Sequence, residues 1–424
     1  NWTQVIQTHC TGAAKIASSP PPSVAGESVS QCVTYSCAGT VRPYFSNRCS
    51  PALPRVITVQ VLLDPSFTRV PGWRQKLDTA FGHANWHFQP FGISFLVREI
   101  GEIPLITSKE RIDDSVFENL VKWKGKSSSE LHLGVISEKI TTEHWFVQRL
   151  GESQFLSDLL FINSMNNDDF GAVLVHELGH TFGAFHRETL SSVMAPMTGE
   201  NTWRQGFDKA SAEVIRITKC ADFRQGARSL PLAQIEQIGQ IFESATTPED
   251  VNPLVFVFDE LATAAVDQKK EDEALVWAKR AVALQPRHPM GYLVLGWTQL
   301  DLGRNREGRE TFERGLELSA VIPRSNSSSI NLDGKVVPFR AIALTGLGDA
   351  WRHLEDPVKA KSFYLAAISE NSDYAGGYTG LGWLALDSGD RQQAIQHFEK
   401  ALSVNPNSKP AQRGLEKAKA KKPS

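Results

Sequence analysis

His176-Glu177-Leu178-Gly179-His180-Thr181-Phe182-Gly183-Ala184-Phe185-His186 decides how the first half of this chain is read. Two histidines four residues apart lie on one face of a helix, so both imidazoles reach one metal ion from the same side. Glu177 stands beside the first of them, placed to meet what occupies the ion's open position rather than the ion. Gly183 admits a positive φ, which lets the chain leave the helix in a sharp turn. That turn returns His186 as a third nitrogen. Three neutral imidazoles with one position left open make a donor set for catalytic Zn2+, with zinc–nitrogen distances of roughly 2.0–2.1 Å. Chance would have to place three of the chain's 11 histidines in this register, together with the glutamate and the glycine.

The flanking sequence alternates strand and helix patterns. Val56–Leu63 is rich in β-branched residues and ends at Asp64-Pro65, which predicts a strand. Residues 72–89 carry Trp73, Leu77, Ala80, Phe81 and Ala84 at helical spacing. Further strands are predicted at 92–97, 131–136 and 159–162, and one more around Trp145–Leu150. Asn166-Asn167-Asp168-Asp169 offers N-caps for a helix starting near Phe170. The order strand, helix, several strands, helix predicts an α/β or α+β domain.

Eight residues after His186 comes the end of Ser191-Ser192-Val193-Met194, followed by Ala195-Pro196. The extended histidine motif and this hexapeptide together resemble the metzincin clan of zinc endopeptidases, over about residues 55–235. In that resemblance Met194 is the methionine of the turn beneath the zinc, in a form closest to the matrixins. The chain departs from the clan's subfamilies at Arg187, which follows the third histidine, and at Pro196, where astacins and serralysins place a tyrosine ligand. The resemblance implies an α+β protease domain with a mixed sheet and an active-site helix. It implies His176, His180 and His186 as metal ligands and Glu177 as the catalytic general base in peptide-bond hydrolysis. A substrate peptide would pair with an edge strand, the 143–150 segment, and residues 195–203 would shape the pocket after the scissile bond.

From about residue 250 the chain repeats itself. Ala274, Gly308, Ala360 and Ala394 are separated by 34, 52 and 34 residues, the long step being 34 plus an insertion of 18. Ala262, Gly296, Gly348 and Gly382 stand twelve residues before them. Ala278, Phe312, Tyr364 and Phe398 stand four after, and Ala281, Gly315, Ala367 and Ala401 seven after. Pro286 and Pro406 follow where a helix stops. Four units over about 255–406 resemble the tetratricopeptide repeat, which implies an all-α solenoid that docks a peptide or protein partner on its concave face. Residues 322–338 read as a loop inserted into the array, and 407–420 as a terminal capping helix.

Residues 1–54 are different again. They hold Cys10, Cys32, Cys37 and Cys49, with Pro20-Pro21-Pro22, and only Cys220 lies beyond them. The clustering predicts disulfides among the first four, in any of three connectivities, with Cys220 left over. It also predicts a protein that works outside the reducing cytosol: secreted, periplasmic or on a cell surface. The segment is either a pro-segment or an accessory module. A pro-segment would make Cys49 a thiolate that plugs the open metal position, but it lies only seven residues before the first strand. His83, His87, His132 and His144 form no tight spacing and read as core or surface histidines.

The three regions are therefore 1–54, 55–245 and 250–424. With 45 basic and 47 acidic residues in 424, the formal charge is −2, which excludes a strongly basic nucleic-acid binder. No apolar run approaches the length of a membrane span. Two functions stay open on these grounds. One is a zinc endopeptidase with a docking domain. The other is an interaction scaffold in which the repeats act and the protease-like domain is inactive or self-inhibited.

Overall fold

A computed structural model describes residues 49–103, 120–136, 151–153, 155–163, 170–186, 192–195, 206–247, 250–321, 329–332 and 335–420. The chain divides into two compact units, 1–230 and 231–424.

The first unit is built on a five-stranded sheet. Its strands are β1 (Arg55–Leu63), β2 (Ile93–Glu102), β3 (Leu131–Ile136), β4 (Gly151–Ser153) and β5 (Leu159–Asn163), in the order β2-β1-β3-β5-β4. The first four neighbours run parallel, with Val59 opposite Val97, Val61 opposite Leu133 and Gly134 opposite Phe161. Among the described strands β4, at the edge, is the antiparallel one, with Glu152 opposite Phe161. Every residue of β3 and β5 is buried. That is what parallel strands covered on both faces require, and it explains their unbroken apolar runs. After β1, Asp64 caps the short helix α1 (Pro65–Thr68), its carboxylate accepting from the Ser66 amide at 2.6 Å.

Helix α2 (Trp73–Phe88) and helix α3 (Phe170–Thr181) pack on each other. Phe88 of α2 closes the gap toward the end of α3, its ring centroid 5.3 Å from Phe182, 5.1 Å from Phe95 and 5.1 Å from Phe207. Helix α4 (Lys209–Thr218) follows, started by Asp208, whose side chain accepts from the Ser211 amide. The Thr218 hydroxyl donates to the Phe182 carbonyl at 2.6 Å, tying α4 to the residue that follows α3.

The cysteine pairing differs from the expectation. Cys49 is bonded to Cys220, 171 residues away, not to a neighbour in the N-terminal cluster. The surrounding contacts explain the choice: Lys219 Nζ donates to the Pro51 carbonyl at 3.1 Å, and Arg55 donates to the carbonyls of Lys219 and Ala221. The chain entering β1 is thus laid against the end of α4, which brings the two sulfurs together. With its sulfur in a disulfide, Cys49 does not serve as a metal-plugging thiolate. Cys10, Cys32 and Cys37 lie outside the described residues, as do the strand expected at 145–150, the caps at Asn166–Asp169 and His144.

The second unit begins with α5 (Leu232–Ala245), whereas the sequence pattern places the boundary at 245. This helix packs on α7 so closely that a β-carbon on Gly239 would stand 1.9 Å from the Leu284 carbonyl oxygen. Four antiparallel pairs follow: α6 (Leu254–Asp267) with α7 (Glu271–Leu284), α8 (Pro289–Asp301) with α9 (Asn305–Val321), α10 (Phe339–His353) with α11 (Pro357–Glu370), and α12 (Ala375–Asp387) with α13 (Arg391–Val404). Helix α14 (Lys409–Lys419) closes the array. In the last three pairs an aromatic of the second helix presses on a glycine of the helix that follows. A β-carbon on Gly346, Gly380 or Gly414 would come within 2.4, 2.1 and 2.3 Å of the rings of Phe312, Tyr364 and Phe398. The insertion between α9 and α10 is not wholly a loop. Its second half is an antiparallel hairpin, β6 (Ser329–Leu332) and β7 (Lys335–Pro338). No helix among the described residues is long and apolar enough to cross a membrane.

Candidate metal centre

Helix α3 sets the site. His176, Glu177 and His180 fall on its last two turns, and the helix is buried along nearly its whole length. Gly183 takes φ +83°, and its amide donates to the His180 carbonyl at 2.7 Å. The chain there turns back and carries His186 over the helix. The structure brings the three histidines together: Nε2 of His180 is 3.1 Å from Nε2 of both His176 and His186, and His176 and His186 are 3.2 Å apart. Among the described residues no other three histidine, cysteine or carboxylate groups converge in this way.

Nδ1 of His176 donates to the Val193 carbonyl at 2.8 Å, and Nδ1 of His180 donates to the Ala184 carbonyl at 2.7 Å. A carbonyl accepts only, so both rings carry their proton on Nδ1. Both Nε2 atoms then present lone pairs to each other at hydrogen-bond distance with no proton between them. His186 can supply a proton to only one of them. Protonating the rings is the alternative, and the site opposes it. Burial pushes the His176 pKa down to about 4, with the positive charge of a protonated His186 adding to the effect and the Val193 carbonyl opposing it. Burial holds His180 well below its ordinary value, helped by His176 and His186, and burial also lowers His186. Three neutral imidazoles with converging lone pairs are the donor set that a zinc ion takes, and outer hydrogen bonds to Nδ1 are how such ligands are oriented.

Glu177 is only 5 % exposed. The Ser153 hydroxyl on edge strand β4 lies 2.8 Å from both the Glu177 carbonyl and its Oε2, so its single proton serves one or the other. Met194 sits under the helix and is fully buried, and the Met194 amide donates to the Ser192 hydroxyl at 3.1 Å. Ser192 in turn donates to Asp208 at 2.9 Å. A tight turn is thereby pinned both to α4 and, through the Val193 carbonyl, to His176.

Sequence reasoning missed three of these partners. The Ala184 and Val193 carbonyls had a signal, since both lie within the motifs that were read. Ser153 had none, because a serine on a three-residue strand reaches Glu177 only through the sheet. Residues 143–150 and 196–203, expected to border the substrate, lie outside the described residues. His87 and His132 are buried away from the three ligands, His132 held by Gln60 Oε1 at 2.8 Å.

Tetratricopeptide repeat profiles match residues 293–375 and 375–408. No curated protein matches the chain by sequence. Among solved structures, the MamA protein is similar at 22 % identity over 39 % of this chain and 80 % of its own, with a TM-score of 0.26. Archaemetzincin from Methanopyrus kandleri is similar at 16 % identity over 38 % of this chain and 95 % of its own, with a TM-score of 0.31. YrrB, described as a tetratricopeptide repeat protein with an unusual peptide-binding site, is similar at 16 % identity over 41 % and 77 %, with a TM-score of 0.25. Likenesses at such scores carry no argument about the site. The profiles do carry one for the array: residues 293–408 of this chain are tetratricopeptide repeats.

Proposed function

We propose that the chain is a metzincin-type zinc endopeptidase whose repeat array docks a protein partner or substrate. The observation that carries this reading is the convergence of three Nε2 atoms, each 3.1–3.2 Å from the next and two of them bare of protons, beside a buried glutamate. His176, His180 and His186 would hold the ion. A zinc ion so held would supply a Lewis acid able to bring the pKa of a water beside Glu177 toward about 7. Glu177 accepts the proton of the attacking water and passes it to the leaving amine. The Ser153 hydroxyl, 2.8 Å from Glu177 Oε2, is placed to steady the carboxylate. The backbone carbonyls of Val193 and Ala184 keep two ligand rings in the tautomer that leaves Nε2 bare. Among the described residues β4 is the edge strand that reaches Glu177, and an extended peptide would add beside it as a further strand.

The Cys49–Cys220 bond supports a location outside the reducing cytosol. The repeats support a docking role, since such arrays bind partners along their length.

The test is digestion of a proteome-derived peptide library by the zinc-loaded protein beside its Glu177→Gln variant. The wild type should cleave internal bonds, and the variant should keep its zinc and lose about 10²–10⁴-fold in turnover. Equal turnover in the two proteins would exclude Glu177 as the base.

A further inference from the structure

The first helices of successive repeats, α8, α10 and α12, together with α14, line a groove of about 530 Å³ in the second unit. Its wall combines the aromatic rings of Trp297, Tyr374 and Trp383 with the carboxylates of Asp301, Asp349 and Asp373. Two arginines share the wall with these three carboxylates, Arg352 and Arg413, and Arg352 is already engaged. Arg352 Nη1 lies 2.7 Å from Asp387, and its Nε lies 3.8 Å from Asp349. Asp349 also accepts from the Tyr364 hydroxyl at 2.5 Å. Asp301 has neither a hydrogen bond nor an ion pair among the described residues.

The row of acids extends beyond the groove onto α6. Burial raises the pKa of Asp301, and Asp267 raises it further. Burial likewise lifts Asp259 to about 6, with Glu260 and Asp301 adding to it. Asp349 is raised mainly by burial and also by Asp301, against the pull of Tyr364 and Arg352. Neighbouring carboxylates that repel one another in a partly dehydrated groove are relieved when a positive charge enters. The charge is not a bare metal ion. Among the described residues these acids do not come close enough for three of them to ligate one ion. A cation carried on a long, apolar stem satisfies both the spaced carboxylates and the indole walls, because a guanidinium or ammonium is attracted to an aromatic face as well as to an anion.

We propose that this groove docks a basic peptide segment, with an arginine or lysine side chain seated between Asp301 and Asp349 and its stem against Trp297. The proposal rests on the docking role assigned above to the array and names the chemistry of what is docked.

It is tested on the full chain carrying Glu177→Gln, so that no probe is cleaved. Three fluorescein-labelled nine-residue peptides differ only at three positions, which hold arginine, citrulline or glutamate. Anisotropy should show the arginine peptide binding about tenfold or more tighter than the citrulline peptide, with the glutamate peptide weakest, and the difference should shrink with added salt. Asp301→Asn, alone and with Asp373→Asn, should remove most of that preference while the helical circular dichroism and melting of the protein stay unchanged. Equal binding of arginine and citrulline peptides, or no effect of the aspartate variants, would overturn the proposal and leave docking itself standing. Failure of all three peptides to bind would overturn both.

Discussion

A β-carbon on Gly179 would stand 2.5 Å from the sulfur of Met194. The turn that carries Met194 is therefore pressed against a position of the histidine helix that has no side chain. The same turn supplies the carbonyl that orients His176. Substitution at Gly179 thus acts on the ligands without touching them.

Gly179→Ala should push Met194 and the Phe207 ring, 2.9 Å from the added carbon, off the helix. Overpacking of this kind costs about 1–3 kcal/mol. The expected outcome is a lower urea midpoint together with weaker zinc retention against a competing chelator. Unchanged retention would show that the turn does not position the ligands.

Cys49→Ser with Cys220→Ser should destabilise the first unit by about 2–5 kcal/mol, since the bond closes a loop of 171 residues. Peptide mapping without reduction should recover Cys49 and Cys220 in one linked species. A map that joins Cys49 to Cys10, Cys32 or Cys37 would contradict the pairing.

Acid should weaken the first unit through His87. Burial lowers its pKa to about 4, and His83 adds to the effect. The folded protein keeps this ring neutral while the unfolded chain protonates it near 6.5. The stability present above about pH 6.5 is therefore lost as the pH falls toward 4, by up to about 3 kcal/mol. Urea unfolding followed by fluorescence at pH 7.5 and pH 5 should show this loss, and His87→Gln should reduce it. An equal loss in the variant would assign the acid sensitivity elsewhere.

Gly380→Ala should strike the repeat array at its tightest aromatic contact, 2.1 Å from the Tyr364 ring. The two helices must part, at a cost of about 2 kcal/mol or more. Thermal unfolding should shift downward while short-peptide cleavage and zinc content hold. A melting curve like that of the wild type would mean that the ring moves aside freely.

Much of this structure is legible in the sequence wherever local rules decide it. The strand at Arg55–Leu63 announces itself because a β-branched run has few other uses, and Leu131–Ile136 because it is a short apolar run. The histidine helix is legible because its register and its glycine turn lie within eleven residues. The array is legible through its small and aromatic columns, yet one column was overlooked: Gly346, Gly380 and Gly414, spaced by 34, are the glycines on which Phe312, Tyr364 and Phe398 rest. What stayed hidden depends on chain folding over long distances. Nothing near Cys49 points to Cys220, because the match is made by Lys219 and Arg55 bridging the two segments. Ser153 meets Glu177 only because β4 joins the sheet antiparallel to β5. Helix α5 joins the repeats through Gly239, a single residue in an ordinary amphipathic pattern.

The central claim is a zinc ion on His176, His180 and His186, and X-ray absorption at the zinc edge tests it most directly. On protein purified without chelator and reconstituted with zinc, the account predicts one zinc per chain. Its first shell should hold three imidazole nitrogens at roughly 2.0–2.1 Å and no sulfur. His180→Ala, if folded, should lose one imidazole from that shell. Folded wild-type protein that takes up no zinc, or a shell with fewer than three imidazoles, would contradict the account.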